Sequence, residues 1–449
     1  MKRIRWVALA GGVAVVVSTM VASAGAQSST ADSPKATEVG VTPTEIHVAV
    51  VADVDNSIAP NLFKASVDAV RGAAKYLNSK EGGGGLAGRK VVVDFYDSQL
   101  NPSTTRNGEI KACENDVAMV GTSAVFLTSV DEMRNCKDST GAATGLPDIP
   151  FVSTALAQQC SDQSFPVTPP QVVCSTKDEH PQTFQANVGR GRYYEKVYGN
   201  NKLHGIYIFN TDSKSAHDSS VASLGGLRDI GIESDGDFDR PGAALQSAFT
   251  DIVQAMKNKG SNYGTCTGPY TCTVNLRKEA ALQGVTAKVW DCSVQCYDRQ
   301  FLAAAGQDAE KEYVDTLFLP FYSKADQKAV PMLANFVKYT GTDKVASYGA
   351  YAWSAMMAFR DAVNGAVKAG GVNGVTRKAV LEQLTKIHNF SADGMLAPID
   401  LAARKISQCT VTMQVKNGDF VRVNPTAPGT FACAKQNVIY RKLDLINHS

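Results

Sequence analysis

Catalytic signatures are missing from this sequence. It has no HExxH, no GxSxG elbow and no histidine pair at metal-ligand spacing; its six histidines, His47, His180, His204, His217, His388 and His448, are scattered. Zinc hydrolases and α/β-hydrolases are thereby disfavoured, and neither a metal nor a cofactor is expected. A strong charge of either sign is also lacking. The formal net charge is +2, and Lys2, Arg3 and Arg5 fall in a leader without acids, so the remainder carries −1. That balance offers nothing to nucleic acid. Past residue 26 no apolar run is long enough to span a bilayer. No cysteine occurs before Cys113, so the lipid-bearing cysteine of a bacterial lipoprotein is absent.

What is present begins with those three cations. They precede an uncharged stretch over 6–21 that runs into Ala22, Ala24 and Ala26, the pattern of an export signal cut after Ala24 or Ala26. The alternative is an uncleaved anchor, against which the small residues at the exit argue. Residues 27–43, rich in Ser and Thr with Pro34, read as a flexible linker. An exported location, in the periplasm or cell envelope or outside the cell, follows. The remaining chain is 44% hydrophobic and 20% charged over the whole sequence, enough for two domains with cores.

Ten cysteines fall into sequence-local couples: Cys113 with Cys136, Cys160 with Cys174, Cys266 with Cys272, Cys292 with Cys296, and Cys409 with Cys433. In an exported chain an even count reads as disulfides. The rival is a zinc site from Cys266, Cys272, Cys292 and Cys296, for which the spacing of the first couple is too long. Nearest-neighbour pairing is expected from loop length alone, and the sequence does not fix the connectivity.

Short apolar runs alternate with amphipathic stretches, the pattern of a parallel sheet covered by helices. Strands are expected over 45–54, 90–96, 117–120, 149–152, 203–210, 285–292 and 314–321, with helices over 61–79, from Pro102, from about Val125, and over 216–227, 245–256, 275–283, 328–338, 348–367 and 376–387. Between Thr154 and about 185 the rhythm breaks around Pro166, Pro169 and Pro170, as if the chain crossed to a second lobe. A tail over 410–423 and 438–443 alternates like a hairpin closed by Cys409 and Cys433. Gly83, Gly85 and Gly88 satisfy GxGxxG but follow a helix and precede a strand, the reverse of a pyrophosphate cradle.

Several segments then carry a resemblance: Thr44 to Val50 opening the fold, Leu86 to Lys90 leading into the second strand, Asp97-Ser98-Gln99 with Asn101-Pro102, Val120 to Ser123, Ile149 to Thr154, Leu276 to Gly284 and Tyr348 to Trp353. Their order resembles the type I periplasmic-binding-protein fold, in particular the branched-chain amino-acid ABC receptors of the leucine-binding kind, over nearly all of 41–445. The resemblance implies two doubly wound α/β lobes joined by three hinge strands, with 44–155 and 319–390 in the first and 156–318 and 391–449 in the second. It implies a non-enzymatic, monomeric receptor that holds a small molecule in the cleft and delivers it to a membrane ABC permease; the alternative is a ligand-sensing module feeding a signalling partner. By position, Ser123 and the group Ser153, Thr154 and Ala155 correspond to the family's carboxylate and ammonium binders, with helix capping as the plain structural alternative. From the second lobe, Asp212, Ser215, Tyr263 and Tyr270 are expected to close over the ligand, with Tyr297 a weaker candidate. The family's ammonium acceptor has no direct counterpart; Asp291 is the candidate substitute, with a strand-end charge facing solvent as the equal alternative, and the loops 266–272 and 292–296 are expected at the cleft.

Overall fold

A computed structural model describes residues 32–445 except 58, 201 and 213, together with the main chain but not the side chains of 215 and 216. The leader and most of the linker lie outside the described residues. The strands are β1 (Glu45–Ala52), β2 (Lys90–Asp97), β3 (Ala118–Val120), β4 (Asp148–Ile149), β5 (Gln182–Asn187), β6 (His204–Asn210), β7 (Glu233–Arg240), β8 (Tyr263–Cys266), β9 (Val289–Cys292), β10 (Glu312–Thr316), β11 (Cys409–Lys416), β12 (Asp419–Asn424), β13 (Ala432–Cys433) and β14 (Val438–Leu443). One sheet, ordered β2-β1-β3-β4, is entirely parallel. A second, ordered β12-β11-β10-β9-β8-β6-β7, is parallel from β7 to β10 and antiparallel where β11 and β12 join. The tail's last strand, β14, pairs antiparallel with β5.

The first sheet forms where the sequence is most regular. Helix Lys64–Asn78 buries Val67, Val70, Ala74 and Leu77 at helical spacing. Against it lies the 24-residue helix Ser347–Gly370. The two approach closely at Gly349, where a Cβ would stand 3.0 Å from the Ala65 carbonyl oxygen. Gly121 ends β3 at φ 71°, and a side chain there would press on Val70. Trp353 is fully buried, donates its indole N–H to the Met332 sulfur at 3.4 Å and meets Phe336 edge-on.

The apolar core does not stop at the lobe boundary. One cluster holds Val48, Val50 and Trp353 beside the first sheet together with Tyr297, Phe301, Val314 and Met413 beside the second. Arg422 on β12 pairs with the buried Asp326 on the helix Lys324–Ala329.

Most expected elements form, and the departures have physical causes. The helix expected from Val125 is reduced to Asp131–Arg134, because the Val125 N–H is held by Asp53 at 2.8 Å and its carbonyl by Thr154 at 2.6 Å. The described part of the linker is fastened: Arg89, buried at 1% exposure, donates to the carbonyls of Lys35 and Thr42, and Thr37 donates to Val375. The couples Cys113–Cys136, Cys160–Cys174, Cys266–Cys272, Cys292–Cys296 and Cys409–Cys433 are all disulfide-bonded, which removes the thiolates a zinc site needs.

Asn101 caps the helix Pro102–Asn115 as expected, its side chain accepting from the N–H groups of Ser103 and Thr104 at 2.9 and 3.1 Å. Asn101→Ala is expected to lower stability by about 1 kcal/mol in a denaturant titration; an unchanged midpoint would mean the cap contributes nothing.

Candidate functional site

A cavity of about 340 Å³ opens at the carboxyl ends of β8, β9 and β10. In open parallel sheets this is where strand ends leave loops and helix termini free to meet a ligand. Thr265, Thr267 and Gly268 line it from β8 and beyond, Ser293 to Gln295 from the loop after β9, and Asp315 to Leu317 from β10. Both cysteine-bounded loops therefore reach it. The helix Lys214–Asp229 adds Ser219, Ser220, Ser223 and Leu224, and Tyr351 comes from the long helix packed on the first sheet.

Three further passages of chain border the cavity, represented by Thr168, Pro169 and Gln171, by Leu317, and by Ile406 with Ser407. Gln185 on β5 ties two of them, donating to the carbonyls of Pro170 and Arg404 at 2.7 and 2.9 Å. Asn187 donates to those of Ser407 and Cys409.

Among the described residues two charged side chains face the space, Arg190 and Asp315. Arg190 stands in the first turn of the helix Gly189–Tyr198 and is 11% exposed. Its Nε donates to Asp291 at 3.0 Å, and its Nη1 lies 3.4 Å from Asp315 Oδ1. Asp291 is fully buried and also accepts from the hydroxyls of Tyr194 and Tyr263, both at 2.7 Å. Thr410 donates to Asp315 Oδ2 at 2.9 Å, while Oδ1 has no hydrogen-bond partner among the described residues.

Burial opposes the Arg190 charge, yet Asp291 and then Asp315 outweigh it and hold the guanidinium well above its ordinary range. Burial, reinforced by Asp291, drives the Tyr194 and Tyr263 phenols far up, so both are hydroxyl donors at any physiological pH. Burial also raises Asp315, against the pull of Arg190. Arg190 Nη2 has no protein acceptor among the described residues. The guanidinium is therefore held through Nε and Nη1 and keeps Nη2 as a donor.

None of the residues expected at the ligand lines this cavity directly. Ser123 is fully buried and donates to the Gly121 carbonyl at 2.9 Å, while its main chain bridges β1 and Val152. Thr154 holds Val125, and Ser153 and Thr154 offer their carbonyls to Gln159 as Ala155 caps the short helix Leu156–Gln159. Asp212 accepts from Asn210 and from the Gly242 N–H, closing a local turn. Tyr270 starts a helix and donates to Gln300 at 3.2 Å. Tyr297 lies wholly in the apolar core. Of Ser215 only the main chain is described. The structure does bring Tyr263 and Asp291 together, as a support behind Arg190: Asp291 already holds three donors.

A model of the periplasmic binding proteins matches residues 45–419. The chain belongs to that family. Solved structures with the same fold include a leucine-binding protein from Thermotoga maritima, 16% identical over 85% of this chain and 99% of the other, with a TM-score of 0.59. A fatty-acid ABC transporter substrate-binding protein from Thermomonospora curvata is 15% identical over 88% and 97%, with a TM-score of 0.64. An ABC transporter substrate-binding protein from Desulfitobacterium hafniense in complex with Leu is 14% identical over 84% and 100%, with a TM-score of 0.58. Comparison with curated proteins finds no match in sequence. The fold is the type I arrangement of two α/β lobes, and this periplasmic binding protein is a ligand-binding receptor, not an enzyme.

Proposed function

We propose that this receptor captures a small zwitterionic solute, an amino acid or close relative, and presents it to a membrane ABC permease. The observation that carries the reading is the pair of opposite charges on the cavity wall. Arg190 keeps Nη2 to donate to a carboxylate, and Asp315, whose Oδ1 lies 3.4 Å from Arg190 Nη1, brings a carboxylate to the same wall for an ammonium. The hydroxyls of Thr265, Thr267 and Ser293 stand around them. A volume near 340 Å³ suits a ligand of amino-acid size. Delivery to an ABC permease is supported by the described roles of the structural relatives, and export by the leader and the five disulfides.

The fatty-acid-binding relative gives a competing ligand class, and the Asp315 carboxylate beside Arg190 disfavours an acyl chain there. A thermal-shift screen of the chain from Gln27 separates the two, using the common amino acids, their amides, 2-oxo acids and medium-chain fatty acids. A zwitterion at about a hundred times its dissociation constant stabilises the native state by about 2.7 kcal/mol. The expected hits are amino acids, with weaker shifts from the 2-oxo acids. A response to fatty acids alone would overturn the proposal.

A further inference from the structure

On the far side of β1 from the interlobe core, three segments place ligand-type side chains together. His47 on β1 lies with its Nδ1 2.8 Å from Asp94 Oδ2 on β2. Asp116, between the helix Pro102–Asn115 and β3, completes a set whose ligand atoms lie within 4.8 Å of one another. We propose that His47, Asp94 and Asp116 bind a divalent transition-metal ion of the zinc class, outside the solute cavity.

Asp116 provides the observation that separates this set from an ordinary acidic cluster. It is fully buried; Tyr96 donates to Oδ2 at 3.1 Å, and Oδ1 has no hydrogen-bond partner among the described residues. A buried carboxylate oxygen without a donor is costly unless a cation or proton answers it. The nearby cation does not contact it: Arg377 donates to the main-chain carbonyls of Cys113, Lys137 and Asp116 and to the Cys136 sulfur. The cluster also sits where the helix Pro102–Asn115 ends, and the last carbonyls of a helix favour positive charge.

The histidine is oriented for ligation. With the ion at Nδ1, the ring proton resides on Nε2, which faces Glu45 Oε2 at 3.3 Å. That is the carboxylate–histidine–metal relay in which an outer carboxylate fixes the tautomer. Bonds of about 2.0–2.2 Å place neighbouring ligand atoms about 3.4 Å apart, so His47 and Asp94 must separate slightly from their direct contact. Both side chains can do so, being 27% and 35% exposed. One imidazole with two carboxylates leaves a fourth position for water and favours zinc-class ions over calcium or magnesium.

The test uses the leader-free chain, stripped with chelator, and follows thermal melting and bound metal after dialysis with zinc, manganese, calcium or magnesium. Wild type is expected to retain one zinc and melt several degrees higher with it. His47→Gln and Asp94→Asn, at partly exposed positions, are expected to fold, to bind the same solute as wild type and to lose the zinc-dependent rise. No rise in wild type, an equal rise in both variants, or a response to calcium or magnesium in place of zinc overturns the proposal. Because none of these residues borders the cavity, loss of zinc binding and loss of solute binding are independent results.

Discussion

Arg190→Met is expected to abolish solute binding and to cost roughly 3–5 kcal/mol of folding stability, as removal of one partner from a buried ion pair does. The size follows from what the guanidinium leaves behind. Asp291 is fully enclosed, and without Arg190 its charge would rest on two tyrosine hydroxyls in a space closed to water. Asp315 would lose its one ion-pair partner among the described residues in the same step. Urea denaturation followed by circular dichroism reads the loss, and calorimetry with the best amino acid reads the binding. The double variant Arg190→Met/Asp291→Asn is expected to regain much of the stability without regaining affinity, because it removes the stranded charge but not the need for a carboxylate anchor. A single variant of near-wild-type stability would show that the Asp291 network does not carry the site.

The second large effect is on pH. Burial, and then the charges of Asp148 and Glu132, push the Glu109 carboxyl up to about 8. Its Oε1 has no hydrogen-bond partner among the described residues. Burial pushes Asp148 up to about 6 against hydrogen bonds from Gln158, Thr122 and Ser164. Both folded values exceed those of the unfolded chain, which lie near 4. Between about pH 4 and 8 the native protein therefore holds protons that the unfolded chain has released, and its stability falls as pH rises through that window. Each group contributes up to about 1.4 kcal/mol per pH unit while it is protonated only in the native state. Melting is expected to be highest near pH 5 and to decline toward pH 8. Glu109→Gln should flatten the decline and raise the melting temperature at pH 8. A melting temperature that climbs steadily from pH 5 to 8 would contradict the assignment.

How much of this was legible in the sequence depended on where burial leaves a pattern. The unit β1, helix Lys64–Asn78 and β2 is apolar at regular spacing, and its bounds were readable to within a few residues. β7, with the sequence ESDGDFDR, is an edge strand with polar side chains; its pairing with β6 is a matter of main-chain hydrogen bonds that leave no hydrophobic period. β5, QTFQAN, was missed for the same reason, and with it the partner of the chain's last strand. The helix Gly189–Tyr198 went unread because GRGRYYEKVY carries its buried residues without a stripe.

That last omission hid the site. Tyr263 was named as an aromatic closing over the ligand and Asp291 from its place after a strand, but the structure joins both to Arg190, 101 residues from Asp291 in sequence. Asp315 lies in a buried strand, EYVDT, whose two acids, Glu312 and Asp315, are themselves a signal of interior cations, and they face Arg277 and Arg190. Asp116, just past the end of the helix Pro102–Asn115, is likewise brought beside residues of two strands, His47 on β1 and Asp94 on β2. Spacing rules find ligands that share one element, and neither cluster here does.

The account rests on Arg190 and Asp315 dividing a zwitterion between them, and the most direct measurement is a crystal structure of the leader-free chain grown with the amino acid that gives the largest thermal shift. The ligand carboxylate is expected within hydrogen-bond distance of Arg190 Nη2, and its ammonium against Asp315. Ligand density away from this pair, or a carboxylate held in the first lobe by Ser123 and Thr154 with Arg190 and Asp315 still joined only to each other and Asp291, would contradict it.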